Sequence, residues 1–352
     1  MTDLSSQFQQ QIREAVENEN PVNLVGGNSK SFYGREARGD SMHVAGNKGI
    51  IDYEPTELVV TVRNGTALHE LESVLAEQGQ MLGFEPPCYQ NSATVGGAIA
   101  AGLSGSRRPF SGAVRDYVLG CKLINGYADI LSFGGTAMKN VAGYDLSRLM
   151  VGSMGSLGLI LETSLRVVPM HEMESTWCQE VKSDQVIGVM SAMLQKPLPI
   201  SGLYYDGARL FYRLYGTADA IAQSANTLGG EEYASHDQLW SDLNHQKSDF
   251  FQDKTPLWRI SVAPATEQLP LSGQCVLDWG GALRWLKTDE PAEQVFQTVA
   301  DVGGHATLFR EGKRDEIIFQ PLPPDLMQIQ QRLKQAFDPM SVFNLGRMYP
   351  EF

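Results

Sequence analysis

Cysteine is scarce. Cys88, Cys121, Cys178 and Cys275 are far apart and form no C-x-x-C pair, which excludes a zinc ribbon or an iron–sulfur cluster ligated by this chain alone. They read as reduced thiols. The six histidines, His43, His69, His171, His236, His245 and His305, are equally scattered and include no H-E-x-x-H, so no protein-bound metal is expected. Runs of about 18 apolar residues, the length a membrane helix needs, are missing. The opening MTDLSSQFQQQIREAVENEN has neither an apolar core nor a cationic flank, and a cytoplasmic chain without direct membrane insertion is expected. Basic residues are also short: 28 Lys and Arg against 41 Asp and Glu give a net charge of −13. That sign opposes unaided binding to nucleic acid or anionic lipid, and a small anionic ligand would need a local cationic pocket.

Glycine is what the chain has in quantity, and most of the 35 glycines lie at or before residue 170. Residues 93–105, ATVGGAIAAGLSG, read as a small-residue helix start. Glycine inside a helix costs about 0.5–1 kcal/mol against alanine, so Gly96, Gly97 and Gly102 need a reason. One reason is a ligand's phosphates approaching the free N–H groups of the first turn, with Thr94 adding a hydroxyl; the other is a helix packed closely on a sheet. Residues 22–25 form an apolar strand that runs into Gly26-Gly27-Asn28-Ser29-Lys30-Ser31. That loop is either a phosphate cradle of successive N–H groups or a plain turn. It is not a Walker loop, since Ser29 rather than glycine precedes Lys30.

Taken in order, the spacing predicts a helix over 4–18, a strand over 58–62, and a helix capped by Thr66 that carries Leu68, Leu71 and Leu75 on one face and stops at Gly79. Strands at 118–124 and 127–133 flank Asn125-Gly126, a strong hairpin signal. A helix over 145–150 precedes Gly152, Gly155 and Gly158 and a strand with Leu159, Leu161, Leu165 and Val167 at period two. Helix, glycines, strand is the reverse of the Rossmann order. Beyond a boundary near 170–176, strands and helices alternate: a helix with Val186, Ile187, Met190 and Leu194, a hairpin at 205–208, and a helix from Thr217 to Gly229-Gly230. Strands follow at 257–262, 276–279, 282–286 and 305–309, with a helix between Pro291 and Gly303-Gly304, and a last helix over 325–337. The fold class is α+β, its second part an antiparallel sheet with helices on one face.

Four segments in register, GGNSKS, ATVGG, GSMGSLG at 152–158 and the C-terminal FDPMSVFNLG, resemble the FAD-binding domain of the vanillyl-alcohol oxidase and p-cresol methylhydroxylase superfamily. KNVAGYDLSRLMVGS and DWGGALRW narrow the resemblance to the FAD-binding subunits of bacterial glycolate oxidase complexes, over nearly the whole chain. It implies a two-part FAD-binding domain at 1–172, a lid at 173–322, and a C-terminal helix and tail at 323–352 returning to the first part. It implies that the backbone of Gly26, Gly27, Asn28, Ser29 and Lys30, with Gly96 and Gly97, holds the FAD pyrophosphate. Gly155, Gly158 and Ile160 would follow the adenine and ribose, Ser104 and Gly105 would approach the flavin, and Asn344 would return to it. Val25, Pro87, Thr94, Val95 and Ala100 complete the implied cofactor set.

Departures from the superfamily bear on mechanism. Relatives that tether FAD covalently carry a histidine in the cradle, where this chain has Asn28, Ser29 and Lys30, so FAD is expected to be non-covalent. Met154 stands where the glycine turn has an acid. The lid has DWGGALRW and a lone His305 where self-sufficient 2-hydroxy-acid dehydrogenases of the superfamily place several histidines. The resemblance therefore implies a subunit of a glycolate-oxidising complex that passes electrons through a second FAD-containing subunit and an iron–sulfur subunit, peripheral at the inner membrane only through them. A self-sufficient dehydrogenase, with Arg209, Arg259 or Arg284 gripping the carboxylate and His305 as base, and a flavin-fold assembly scaffold are the alternatives. Trp240, Trp258, Trp279 and Trp285 are expected either at a partner surface or in the lid core.

Overall fold

The computed structural model describes residues 1–136 and 145–352; the KNVAGY part of the segment at 139–153 lies outside the described residues. The chain separates into two compact units, Met1–Ser104 with Gly112–Met170 and Leu322–Phe352, and Gly105–Ser111 with His171–Pro321. Gly105–Ser111, expected in the first unit, belongs to the second.

In the first unit a five-stranded antiparallel sheet runs in the order Ile50–Glu54, Val59–Arg63, Leu159–Arg166, Val118–Ile124, Ile130–Gly134. Leu68, Leu71 and Leu75 are fully buried in one core with Val60, Val62, Val95, Ile99 and Leu165. Each such side chain contributes roughly 1.5–3 kcal/mol by leaving water. Phe8 and Ile12 of the helix Ser5–Glu17 join Leu159, Leu161, Val342 and Phe343 in another. The single apolar face expected for Leu159, Leu161, Leu165 and Val167 is split by a bulge. Lys122 pairs with Glu162 and Leu123 with Ile160, so Leu161 is an extra residue and the alternation changes side there.

The hairpin at Asn125-Gly126 is longer than the two-residue turn expected. Its strands end at Ile124 and resume at Ile130, and the Asn125 side chain accepts from the N–H groups of Tyr127 and Asp129. Gly126 is required by packing: a Cβ there would lie 2.6 Å from the Asp338 Cα. Thr66 is not the cap of Leu68–Glu77; its hydroxyl donates to the Arg63 carbonyl at 2.6 Å and ties down the preceding turn.

The second unit is built on an eight-stranded antiparallel sheet. Its order is Glu231–Glu232, Met173–Glu180, Arg209–Gly216, Ile200–Tyr205, Gln274–Asp278, Leu283–Lys287, Leu257–Ser261, His305–Arg310. The helices Val186–Leu194 and Ala218–Leu228 share one core with it, and Ala292–Asp301 another. Thr217 caps its helix as expected, accepting from the Ala220 N–H. Gly105–Ser111 docks on this sheet through the Arg107–Glu174 ion pair at 2.9 Å, Ser106 Oγ donating to Asp278 at 2.8 Å, and Trp279 Nε1 donating to the Gly105 carbonyl. A helix with no clear sequence signal, His236–Asn244, sets Trp240 beneath the Arg213 guanidinium and within hydrogen-bond reach of Thr176. Trp240, Trp258, Trp279 and Trp285 are all buried, so these indoles fill the unit's interior and do not form an exposed patch.

Candidate functional site

The first unit contains a cleft of about 1120 Å³. One wall is the strand Val22–Val25, paired in parallel with Asp40–His43, and the loop that follows it. Another is the start of the helix Val95–Ala101, where the Thr94 side chain caps by accepting from Gly97. A third is the turn and strand through Met154, Gly155, Gly158 and Ile160. Asn344 stitches two walls together: its Oδ1 accepts from the Leu24 N–H at 2.7 Å, and its Nδ2 donates to the Met154 carbonyl at 2.6 Å. Arg347 fixes the loop from the tail side, donating to the carbonyls of Lys30, Ser31 and Tyr33.

Fourteen of the expected cofactor residues meet here: Val25, Gly26, Gly27, Asn28, Ser29, Lys30, Thr94, Gly96, Gly97, Ala100, Gly155, Gly158, Ile160 and Asn344. The other four do not line the cleft. Val95 points into the core with its N–H on the Thr66 carbonyl, and Pro87 is buried in the loop before it. Ser104 Oγ accepts from the Val114 N–H, and Gly105 belongs to the second unit. Asn23, Asn47, Asn64 and Arg347, which belong to no sequence motif, also line the cleft.

The glycines work differently from the expected pattern. The first-turn N–H groups of Val95 and Gly96 are already bonded to the carbonyls of Thr66 and Asn64, at 3.0 and 2.8 Å. A Cβ on Gly96 would meet Asn64 at 2.8 Å, and one on Gly27 would overlap the Ser92 carbonyl at 1.4 Å. These two glycines allow protein segments to close on each other. Gly97 also lines the cleft, and a Cβ there would approach only Thr94 Oγ1, at 3.2 Å.

The electrostatics single out an anion. Among the described residues the cleft is lined by two cations, Lys30 and Arg347, and by no carboxylate, in a chain of net charge −13. Burial lowers the Arg347 pKa and brings that of Lys30 down to about 8. Lys30 Nζ is buried with no hydrogen-bond partner, a costly state for an ammonium unless a ligand completes it. An acid-free, amide-rich cleft with an unsatisfied buried cation fits a dinucleotide carrying a diphosphate.

In the second unit the four candidate catalytic residues do not form one cluster. Arg284 is buried and donates to the backbone carbonyls of Gly281, Glu267 and Thr266, which makes it a pin for that loop. Arg209 pairs with Asp206 at 3.5 Å and lies over Phe211 and Tyr233. Arg259 and His305 are neighbours on adjacent strands. Arg259 lies over Trp279, as does Arg108. Desolvation of the ring and then the charges of Arg259 and Arg108 lower the His305 pKa. No group of three or more His, Cys, Asp or Glu able to hold a metal occurs among the described residues. Nor is any described helix long and apolar enough to cross a membrane.

Residues 5–134 match the family model described as FAD binding domain, and they supply most of the cleft. The fold as a whole is similar to alkyldihydroxyacetonephosphate synthase, with a TM-score of 0.67 at 12% identity over 96% of this chain and 74% of that one. The chain is thus an FAD-dependent oxidoreductase subunit, with FAD as its cofactor. It is 44% identical to glycolate oxidase subunit GlcE of Escherichia coli (strain K12) over 349 residues, 99% of this chain and 98% of the relative. It belongs to that family. A shorter match, 36% identical over 128 residues, joins 36% of the chain to 27% of glycolate oxidase subunit GlcD of Bacillus subtilis (strain 168).

Proposed function

We propose that this chain is the non-covalent FAD-binding subunit of a glycolate- or 2-hydroxy-acid-oxidising complex, holding the cofactor in the cleft of the first unit. The observation that carries this reading is the acid-free cleft with Lys30 Nζ buried and unsatisfied inside the FAD binding domain. When bound, FAD supplies the two-electron acceptor. Asn344 and Arg347 keep the loop at 26–33 in place, Gly97 leaves room for the ligand, and Lys30 and Arg347 balance its charge. The non-covalent state is supported by the cradle, in which Asn28, Ser29 and Lys30 stand where covalently flavinylated members of the superfamily carry a histidine.

The role as a subunit follows from what one chain can do with electrons. Its four cysteines are free thiols in separate places, which supports an exit for electrons through partners, in this reading a second flavoprotein and an iron–sulfur protein, over a cluster held by this chain. In this reading the complex lies on the cytoplasmic side, with any membrane attachment made by those partners. A specific observation favours a second reading: Arg259 beside His305 is a cation next to a base of lowered pKa, the minimum for gripping a carboxylate and taking a hydroxyl proton. Steady-state turnover of the flavin-saturated single chain with glycolate and a dye acceptor separates the two. The subunit reading expects negligible turnover alone and recovery when partners are added. Turnover above about 1 s⁻¹ that is lost in His305→Ala supports a self-sufficient dehydrogenase instead.

A further inference from the structure

Among the described residues, Lys30 is the one charged side chain lining the cleft whose cationic atom is buried with no hydrogen-bond partner. Arg347, the other, donates to three carbonyls. The Lys30 main chain is held firmly: its carbonyl accepts from Arg347 and from the Tyr33 N–H at 3.0 Å, and Asn28, two residues earlier, occupies the left-handed region at φ 56°. The side chain therefore leaves a fixed backbone. Its ammonium lies 5.8 Å from the centre of the Tyr89 ring, at the outer limit of a cation–π contact and too far to replace a hydrogen bond. Cys88 lies beside it with its thiol donating to the Gln90 carbonyl at 3.1 Å, and its charge raises the Lys30 pKa by less than burial lowers it.

We propose that the Lys30 ammonium donates to an anionic oxygen of the bound flavin dinucleotide and is the side chain through which this cleft selects for that charge. Two parts of the ligand offer this chemistry: the diphosphate, and the N1–C2=O edge of the reduced ring. Helix N–H groups cannot carry the charge alone, because those of Val95 and Gly96 are bonded within the protein. Lowering of the Lys30 pKa to about 8 by burial is what an ammonium awaiting its partner shows. The residue acts by touching the cofactor, so its removal changes affinity or potential without dismantling the fold.

This inference rests on FAD occupying the cleft, and the test separates the two. Lys30→Met keeps the length of the side chain and removes the charge. Binding of FAD and of ADP to the apoprotein is measured by calorimetry, together with the flavin potential and the apoprotein melting temperature. Loss of about tenfold or more in affinity for both FAD and ADP assigns the contact to the diphosphate. Unchanged ADP affinity, with reduced flavin weakened about tenfold relative to oxidised, a fall of about 30 mV for two electrons, assigns it to the ring. The apoprotein melting temperature should hold or rise, because an unpaired buried charge has been removed. Affinities and potential all within threefold of wild type, or losses matched by a collapse of the apoprotein melting temperature, overturn the proposal. Gly97→Val is the control on the site itself. If it retains full flavin, the cleft assignment has failed; if it loses flavin while Lys30→Met does not, only the role of Lys30 has failed.

Discussion

Asp338→Asn should be among the most destabilising isosteric changes in the first unit. Lys334 and Asp338 are both almost fully buried and meet at 2.6 Å, and Lys334 Nζ also donates to the carbonyls of Ser156 and Phe343 at 2.8 and 2.9 Å. Asp338 in turn accepts from the N–H groups of Val342 and Phe343, one on each oxygen. This group of five bonds ties the helix Pro324–Phe337 to the tail carrying Asn344 and to the glycine turn that walls the cleft. An asparagine keeps one acceptor and turns an NH₂ toward either an N–H or the ammonium, leaving a buried charge without its counter-ion. Breaking a buried pair on one side costs about 3–5 kcal/mol. At ~2–4 °C per kcal/mol for a unit of this size, Tm should fall by roughly 6–20 °C. The assay is thermal unfolding of the apoprotein followed by circular dichroism, with Lys334→Met expected to behave alike. The comparison is Lys313→Met, which removes an exposed pair with Glu316 at 3.0 Å and should leave Tm near wild type. A fall below about 3 °C for both Asp338→Asn and Lys334→Met would refute the claim that this cluster holds the tail against the cleft.

Gly96→Ala should destabilise the apoprotein, because its Cβ would lie 2.8–2.9 Å from Asn64, whereas Gly97→Ala should leave the melting temperature near wild type; equal effects in thermal unfolding would contradict the packing assignment. FAD affinity should be flat below pH 8 and weaken above it. An anion raises the Lys30 pKa from about 8 in the free protein, so binding takes up a proton once the free ammonium has deprotonated. The loss should approach about tenfold per pH unit until the bound pKa is reached, with Cys88 and Tyr89 the titratable neighbours; calorimetric affinities that stay constant from pH 7 to 9.5 would rule it out. Acid precipitation should leave all yellow colour in the supernatant, and flavin retained on the peptide by mass spectrometry would contradict the non-covalent cradle.

Local signals carried well into three dimensions where a single segment decides the outcome. Leu68, Leu71 and Leu75 recur at helical spacing and are fully buried. Thr217 caps its helix, and Asp206 closes its hairpin by accepting from Ala208 and Arg209. The same signals failed where distant segments decide. Asn125-Gly126 has the composition of a tight turn, but Gly126 is there to admit Asp338, more than two hundred residues away in sequence. Gly27 and Gly96 do line the cleft, but glycine reports only that something comes close, and a Cβ at either would first meet Ser92 or Asn64. Arg347 and Asn64 join the cleft through tertiary contacts with no local periodicity or motif. Helix His236–Asn244 buries only Trp240 and Leu243, too few apolar positions to show a period.

The most direct test is a crystal structure of the flavin-loaded protein at neutral pH. Density for FAD is expected in the cleft of the first unit, with its diphosphate against the loop at 26–30 and the ligand passing Gly97, Gly155 and Ile160. Flavin density elsewhere, with this cleft filled by solvent or side chains and Lys30 Nζ still unbonded, would contradict the assignment.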